Sequence, residues 1–313
     1  MDTPSKLGGS CCTSTKVPLS DTVKDCIAEG WTCCQVFLGP CDDAKNRRKL
    51  TKEDRNLCSK LSGEDNTAFR VYSHFPFNMN LVTALDKQQL AGLQGELNTL
   101  YKFKGIIVIH PNSAGGPKNK DNVDKESKAY VKHYRQAIDT MMANLKKLKL
   151  PGDGYSILLE GPAGEGSKIG WSFQQLKYIV KQLKANDLQD KVGFCMDTCH
   201  NFCAGLSKFN TSKAVDKYFE KLDTIGVLPY VKAIHLNDSK EPFGAFKDRH
   251  ELLCMGKIWK GNEDGFIAFV TSCAKYKLDI ICETDGYQGV PLCRQALEVS
   301  TASSESLEYS SSD

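Results

Sequence analysis

The chain has no apolar run of the ~18 residues that a membrane-spanning helix requires. Its opening stretch, MDTPSKLGGS, carries no apolar signal segment. No CxxC pairs occur, so a zinc ribbon is not expected. No GxGxxG follows the first strand-like segment, which disfavours a dinucleotide-binding open sheet. One-sided charge is also lacking. The formal net charge is +3, too small to argue for nucleic acid; clusters such as KNRRKL (45–50), PKNK (117–120) and KKLK (146–149) could meet phosphates, but each alone reads as a solvated helix face. Histidine is scarce, with six in the chain.

Cysteine is not scarce. Fourteen in a short chain would suggest a secreted disulfide scaffold, but 313 residues can build a core without staples. They read as reduced, buried small hydrophobes in an intracellular protein of the cytoplasm or nucleus. The dense group Cys11, Cys12, Cys26, Cys33, Cys34, Cys41 and Cys58 leaves a disulfide open.

Eight short apolar runs alternate with amphipathic segments. The runs are KLGGSC (6–11), CCQVFL (33–38), FRVYSH (69–74), GIIVIH (105–110), YSILLE (155–160), VGFCMD (192–197), VKAIHL (231–236) and DIICET (279–284). The later ones are apolar almost throughout, as parallel strands covered on both faces should be. Helical spacing appears between them. Examples are Leu90, Leu93, Leu97 and Leu100, then Tyr134, Ile138, Met141, Leu145 and Leu148, then Leu176, Ile179, Val180 and Leu183, then Phe266, Phe269, Val270 and Cys273. Thr51 with Asp54, and Ser172 with Gln175, predict helix starts. Eight strands alternating with helices predict an α/β fold of the closed (β/α)8, or TIM-barrel, type, with a doubly wound sheet as the alternative. Residues 1–299 read as one domain, and the serine-rich acidic stretch 300–313 as a disordered tail.

The stretch GFCMDTCHNFCAGL (193–206) begins as a strand and ends as a helix start, with Asp197 and His200 three residues apart between them. A structural turn with buried thiols is one reading and a metal site is the other. The remaining chain bears on the choice. His74, His110, Glu160, Asp197 and Glu283 fall at the ends of apolar runs, and His235 lies near the end of another. His200 lies just beyond Asp197, and Asp248 and His250 follow in the loop after 231–236. A barrel brings all its C-terminal strand ends to one face. His133, inside a helical pattern, reads as a surface residue. Imidazole and carboxylate are ligands for zinc and related divalent ions. Nine such groups exceed what one four-coordinate ion uses and suit a multinuclear cluster, the arrangement that serves phosphoryl hydrolysis. Asp197 and His200 then bind different ions. Cys195, Cys199 and Cys203 could compete as soft ligands, but the oxygen and nitrogen set suffices without them.

The segments CMDTCHNFCAG, HLNDSKEPFG with DRH, and EGPAGEGSKIG resemble signature segments of the endonuclease IV family of apurinic/apyrimidinic endonucleases. The resemblance runs from about residue 5 to 295. HLNDSK followed by DRH is highly specific and DTCH nearly so, whereas the segments around His74 and His110 are weak alone. The resemblance implies a (β/α)8 barrel with three zinc ions that cleaves the phosphodiester 5′ to an abasic site in duplex DNA. It implies that His74, His110 and Glu160 hold one ion. Glu160, Asp197, His235 and Glu283 would hold the second, with Glu160 bridging. His200, Asp248 and His250 would hold the third. A metal-bridging hydroxide oriented by Glu160 would attack phosphorus. Manganese could partly replace zinc, and a monomer is expected.

The sequence departs from the family pattern at Gly161, Pro162, Glu165 and Asp285, positions that bear on the shape of the DNA groove and remove no ligand. In HFPFNMNL, Phe77 stands where the family commonly has tyrosine, and reads either as an apolar wedge at the lesion or as a buried loop anchor. Arg47 and Arg48 read as phosphate contacts or as plain surface residues. Sugar isomerases and epimerases share the barrel type and are the alternative function, although they leave the His200, Asp248 and His250 trio without a use.

Overall fold

The computed structural model describes residues 5–11, 17–43, 47–61, 69–116, 118–119 and 124–310. Eight parallel strands close into a barrel. They are β1 (Leu7–Cys11), β2 (Cys33–Val36), β3 (Arg70–His74), β4 (Ile106–Ile109), β5 (Ile157–Glu160), β6 (Val192–Asp197), β7 (Val231–Leu236) and β10 (Asp279–Cys282). β10 pairs with both β1 and β7, which closes the cylinder. Each expected run therefore contains a strand. Between β7 and β10 the chain forms a short antiparallel ribbon of β8 (Asp238–Ser239) and β9 (His250–Glu251), with Ser239 opposite His250. The ribbon was not foreseen, because two residues per strand carry no periodic signal.

The helices are α1 (Leu19–Ala28), α2 (Lys52–Leu61), α3 (Lys87–Tyr101), α4 (Lys128–Leu145), α5 (Phe173–Ala185), α6 (Thr198–Cys203), α7 (Ser212–Thr224), α8 (Glu263–Lys275) and α9 (Gly286–Ser310). Their starts have physical causes. Thr51 and Asp54 exchange reciprocal hydrogen bonds, as a capping box requires. Ser172 accepts from Gln175 N–H, but the Gln175 side chain turns to Gly170 N–H, so only half of that box forms. Asp86 with Gln89 makes a complete box at α3. α9 continues to Ser310, into the stretch from 300 expected as a tail. Neither glycine nor proline follows Pro291 to stop it. Residues 311–313 lie outside the described residues.

Two apolar layers result. One side of each strand packs on the helices, through Val71, Ile107, Ile157 and Leu159 against Leu97, Ile138, Leu176 and Ile179. The barrel interior is filled by Cys33, Tyr72, Ile106, Val108, Leu158, Cys195, Ala233 and Ile281. Gly8 is demanded by this packing, since a Cβ there would sit 1.7 Å from the Cys33 carbonyl oxygen. Most cysteines described are buried and all are free. Cys11 and Cys26 approach to 3.5 Å between sulfurs without bonding. Cys12, the Cys58 side chain, Lys45, Asn46, Pro117 and Lys120 lie outside the described residues.

Candidate metal centre

The strand ends converge on the C-terminal mouth of the barrel. His74 closes β3, His110 follows β4, Glu160 closes β5, Asp197 closes β6, His235 is in β7 and Glu283 follows β10. Register aligns them: Asp197 pairs with His235 across β6 and β7. The β8–β9 ribbon folds His250 back over the mouth. Asp197 and His200 divide at the strand-to-helix junction. Asp197 caps α6, its Oδ1 accepting from His200 N–H at 2.7 Å. Its Oδ2 points the other way, toward Asn237 and His250.

Glu160 is the hub. Its Oε2 lies 3.1 Å from His74 Nε2 and 3.7 Å from His110 Nε2. Its Oε1 lies 3.1 Å from His235 Nδ1 and 3.3 Å from His200 Nδ1. His200 Nε2 turns to Asp248 Oδ2 at 3.1 Å and to His250 Nε2 at 3.4 Å. His250 Nε2 is 3.1 Å from Asp248 Oδ1. Glu283 Oε1 is 3.5 Å from His235 Nδ1. His133 is elsewhere, bonded to the Gly115 carbonyl.

The tautomers explain what this array is suited to hold. A carbonyl only accepts, so a ring nitrogen facing one must donate. His74 Nδ1 faces the Phe75 carbonyl at 2.9 Å, and His200 Nδ1 faces that of Gly161 at 3.0 Å. His235 Nε2 donates to Gln35 Oε1 at 2.8 Å, and the Gln35 amide is oriented by its own bond to Glu283. The opposite ring nitrogens then present lone pairs to carboxylate oxygens. His235 Nδ1 is buried and makes no hydrogen bond. Lone pairs facing lone pairs repel unless a proton or a metal ion stands between them. Outer partners of this kind are what orient metal-binding imidazoles.

The spacing also fits. Two ligands of one tetrahedral zinc, each ~2.0–2.1 Å from it, stand roughly 3.3–3.4 Å apart. The three separations among His200, Asp248 and His250 are 3.1, 3.1 and 3.4 Å. Ligand atoms of His74, His110 and Glu160 form a second compact group, and those of Asp197, His235 and Glu283 a third. Cys199 can join Asp197 and His250, but its hydrogen bond with Cys203 and its burial push the thiol up, which disfavours a thiolate.

Protons report the same field. Burial works to raise the Glu160 carboxyl, yet the His110 and His235 imidazoles outweigh it and hold the group well below the carboxylate range. Burial would lower His250, but Asp197 and Asp248 lift it to about 9. His200 and His235 are lifted well above the usual imidazole range by their carboxylate neighbours, against burial. His110 is the exception, pushed down to about 4 by burial.

Around the mouth, Phe77 is 52% exposed, its ring centroid 4.9 Å from that of His74 and 6.0 Å from that of His110. It is therefore not a buried anchor. Arg47 differs from both readings of the sequence. Its side chain is 6% exposed, paired with buried Glu96 and stacked over Phe75, so it braces the loop from inside. Arg48 is half-buried and donates to the Val17 carbonyl.

A family model described as a xylose isomerase-like TIM barrel matches residues 23–302. A probable endonuclease 4 of Clostridium beijerinckii is 31% identical over 235 residues, 72% of this chain and 75% of the relative. Another, from Mycoplasmopsis pulmonis, is 28% identical over 260 residues, 81% of this chain and 84% of that protein. The chain belongs to the endonuclease IV family. In fold, the crystal structure of endonuclease IV from Thermus thermophilus matches with a TM-score of 0.71 at 22% identity, over 94% of this chain and 99% of that one.

Where this member departs from the endonuclease IV pattern, the substitutes have local roles. A Cβ at Gly161 would meet the Gly170 carbonyl oxygen at 2.8 Å. Glu165 accepts from Asp248 N–H at 2.7 Å and pairs with Lys168, tying the loop after β5 to Asp248. Asp285 accepts from Tyr287 and Gln288 N–H at the start of α9. Two residues at the centre were missed by sequence reasoning. One is Gln35, the lone polar side chain inside CCQVFL, which was itself a signal. The other is Asn237, which donates to Asp197 Oδ2 at 2.7 Å and to Glu283 Oε2 at 2.9 Å. The neighbouring Asp238 faces away and accepts from Gly256, Ile258 and Trp259 N–H.

Proposed function

We propose that the protein is a metal-dependent endonuclease that hydrolyses the phosphodiester 5′ to abasic sites in duplex DNA, a reaction of base excision repair. The supporting observation is the third ligand group. His200, Asp248 and His250 form a compact set beside two others, and a sugar isomerase of the same barrel has no need of it. His74, His110 and Glu160 would hold one ion, Asp197, His235 and Glu283 a second shared with Glu160, and the trio a third. Zinc fits the nitrogen and oxygen donor set, with manganese as a partial substitute. When bound, the ions supply an activated water, polarise the phosphorus–oxygen bonds and stabilise the leaving oxygen. The chain's own part is to keep the imidazole lone pairs aimed inward through Phe75, Gly161 and Gln35, to hold the carboxylates through Asn237, and to exclude water by burying Glu160, Asp197 and His235. The test is incision of a duplex bearing one abasic site, beside turnover of a panel of ketoses and aldoses. Turnover of sugar with abasic DNA left whole would end this reading.

Elemental analysis of the purified protein should find about three divalent ions per chain, mainly zinc. Loading should release protons, because His200, His235 and His250 hold them otherwise, so metal affinity falls as pH falls. Full activity with one ion per chain would remove the trinuclear reading.

Phe77→Ala should weaken binding to abasic duplex more than to intact duplex. Its exposed ring stands at the ligand groups, where it can fill the gap left by a missing base. Stacking of this kind is worth ~1–3 kcal/mol, so discrimination should fall about tenfold or more. Equal losses on both duplexes would assign Phe77 to the loop alone.

A further inference from the structure

On the outside of the barrel, away from the ligand groups, α4 and α5 enclose a groove of about 580 Å³. Its walls carry Arg135 from α4 and Lys177, Lys181 and Lys184 from α5, and no acidic residue lines it. The buried stripe of α5, Leu176, Ile179, Val180 and Leu183, faces the barrel, so the three lysines project outward. All four cations are exposed, and none makes an ion pair among the described residues. Arg135 stacks over the Tyr178 ring at 5.0 Å, and Lys184 lies 5.6 Å from the Tyr230 ring. The nearest acid in sequence on α4, Asp139, is engaged by the Tyr178 hydroxyl at 3.1 Å.

Four exposed cations against one nearby carboxylate, Asp139, leave a net positive face, and an anion of matching spacing relieves their mutual repulsion. The lysine stripe rises ~10 Å along the helix. One strand of a duplex carries a phosphate about every 3.4 Å of its axis, so the stripe spans roughly three. A phosphodiester backbone suits lysines that recur at each turn of one helix face, four and then three residues apart. A groove on the outer face with Tyr134 and Tyr178 in its lining suits a backbone rather than a base pocket.

We propose that this groove is a second, sequence-independent contact for nucleic-acid backbone, which holds a remote segment of a long duplex while the barrel mouth engages another. The inference rests on the endonuclease reading for the identity of the polyanion. The test uses the full chain loaded with zinc, and a Lys177→Ala, Lys181→Ala, Lys184→Ala variant. Binding to a long intact duplex is followed as salt is raised, beside incision of a short abasic duplex. Each phosphate contact contributes about 0.9 to the slope of log affinity against log salt. The variant should therefore lose about 2–3 from that slope and bind the long duplex at least about tenfold more weakly. Incision of the short duplex should be unchanged, and the corresponding triple Lys→Arg variant should bind as the parent does. An unchanged slope, or no binding of the long duplex by the parent, overturns the proposal. So does an equal loss on the short substrate, which would merge the groove with the mouth. Failure of the parent to incise the short duplex refutes the endonuclease reading instead. A fall in slope alongside that failure would still locate a polyanion site in the groove.

Discussion

Glu160→Gln is expected to abolish incision while leaving the barrel and its affinity for abasic duplex largely in place. Glu160 presents one oxygen to His74 and His110 and the other to His235 and His200. An amide keeps the shape and removes the charge. It also puts an NH2, which has no lone pair to offer an ion, in place of one carboxylate oxygen. The loss falls on the transition state, where charge at phosphorus grows, so a drop of at least about 10³-fold in turnover follows from several kcal/mol of lost stabilisation. The fold should tolerate the change, because the buried residues beside it on β5, Leu158 and Leu159, are untouched. Turnover, thermal unfolding, metal content and duplex affinity should be measured together. Near-parental turnover would place the bridge elsewhere.

Replacing both Asp248 and His250 by alanine is expected to empty one metal position and cost several orders of magnitude in incision. The pair lies on the loop and ribbon after β7, whereas the other ligands come from separate strand ends. Asp248 is about one-third exposed, so its removal leaves no buried cavity. His200 loses both partners of its Nε2, and the leaving oxygen loses its stabilising charge. The two remaining ions should stay, since Glu160, His74, His110, His235 and Glu283 are unchanged. Metal analysis showing about three ions in the double variant, or incision at the parental rate, would refute the role given to the trio.

Much of this centre was legible in the sequence for a local reason. An apolar run that ends in His, Glu or Asp marks a strand end in any parallel barrel, and strand ends share a face. Arg47 was misread because its partner Glu96 lies 49 positions away on α3, and a basic cluster looks alike whether solvated or buried. The helix through Ser310 was missed because serine-rich composition suggested disorder, although nothing in it breaks a helix.

What the sequence by itself determined is the order and place of the eight strands, the capping pairs it predicted, and the residue types delivered to the barrel mouth. These follow from hydrophobic period and capping chemistry, which act within a few residues. Only the tertiary structure decided which atoms meet. It set the tautomers of His74, His200 and His235, the orientation of Gln35 and Asn237, the ribbon that carries His250 over the mouth, and the lysine face of α5, without ion pairs among the described residues. Those depend on contacts between segments far apart in the chain, such as Gln35 with His235, and barrel closure alone brings them within reach.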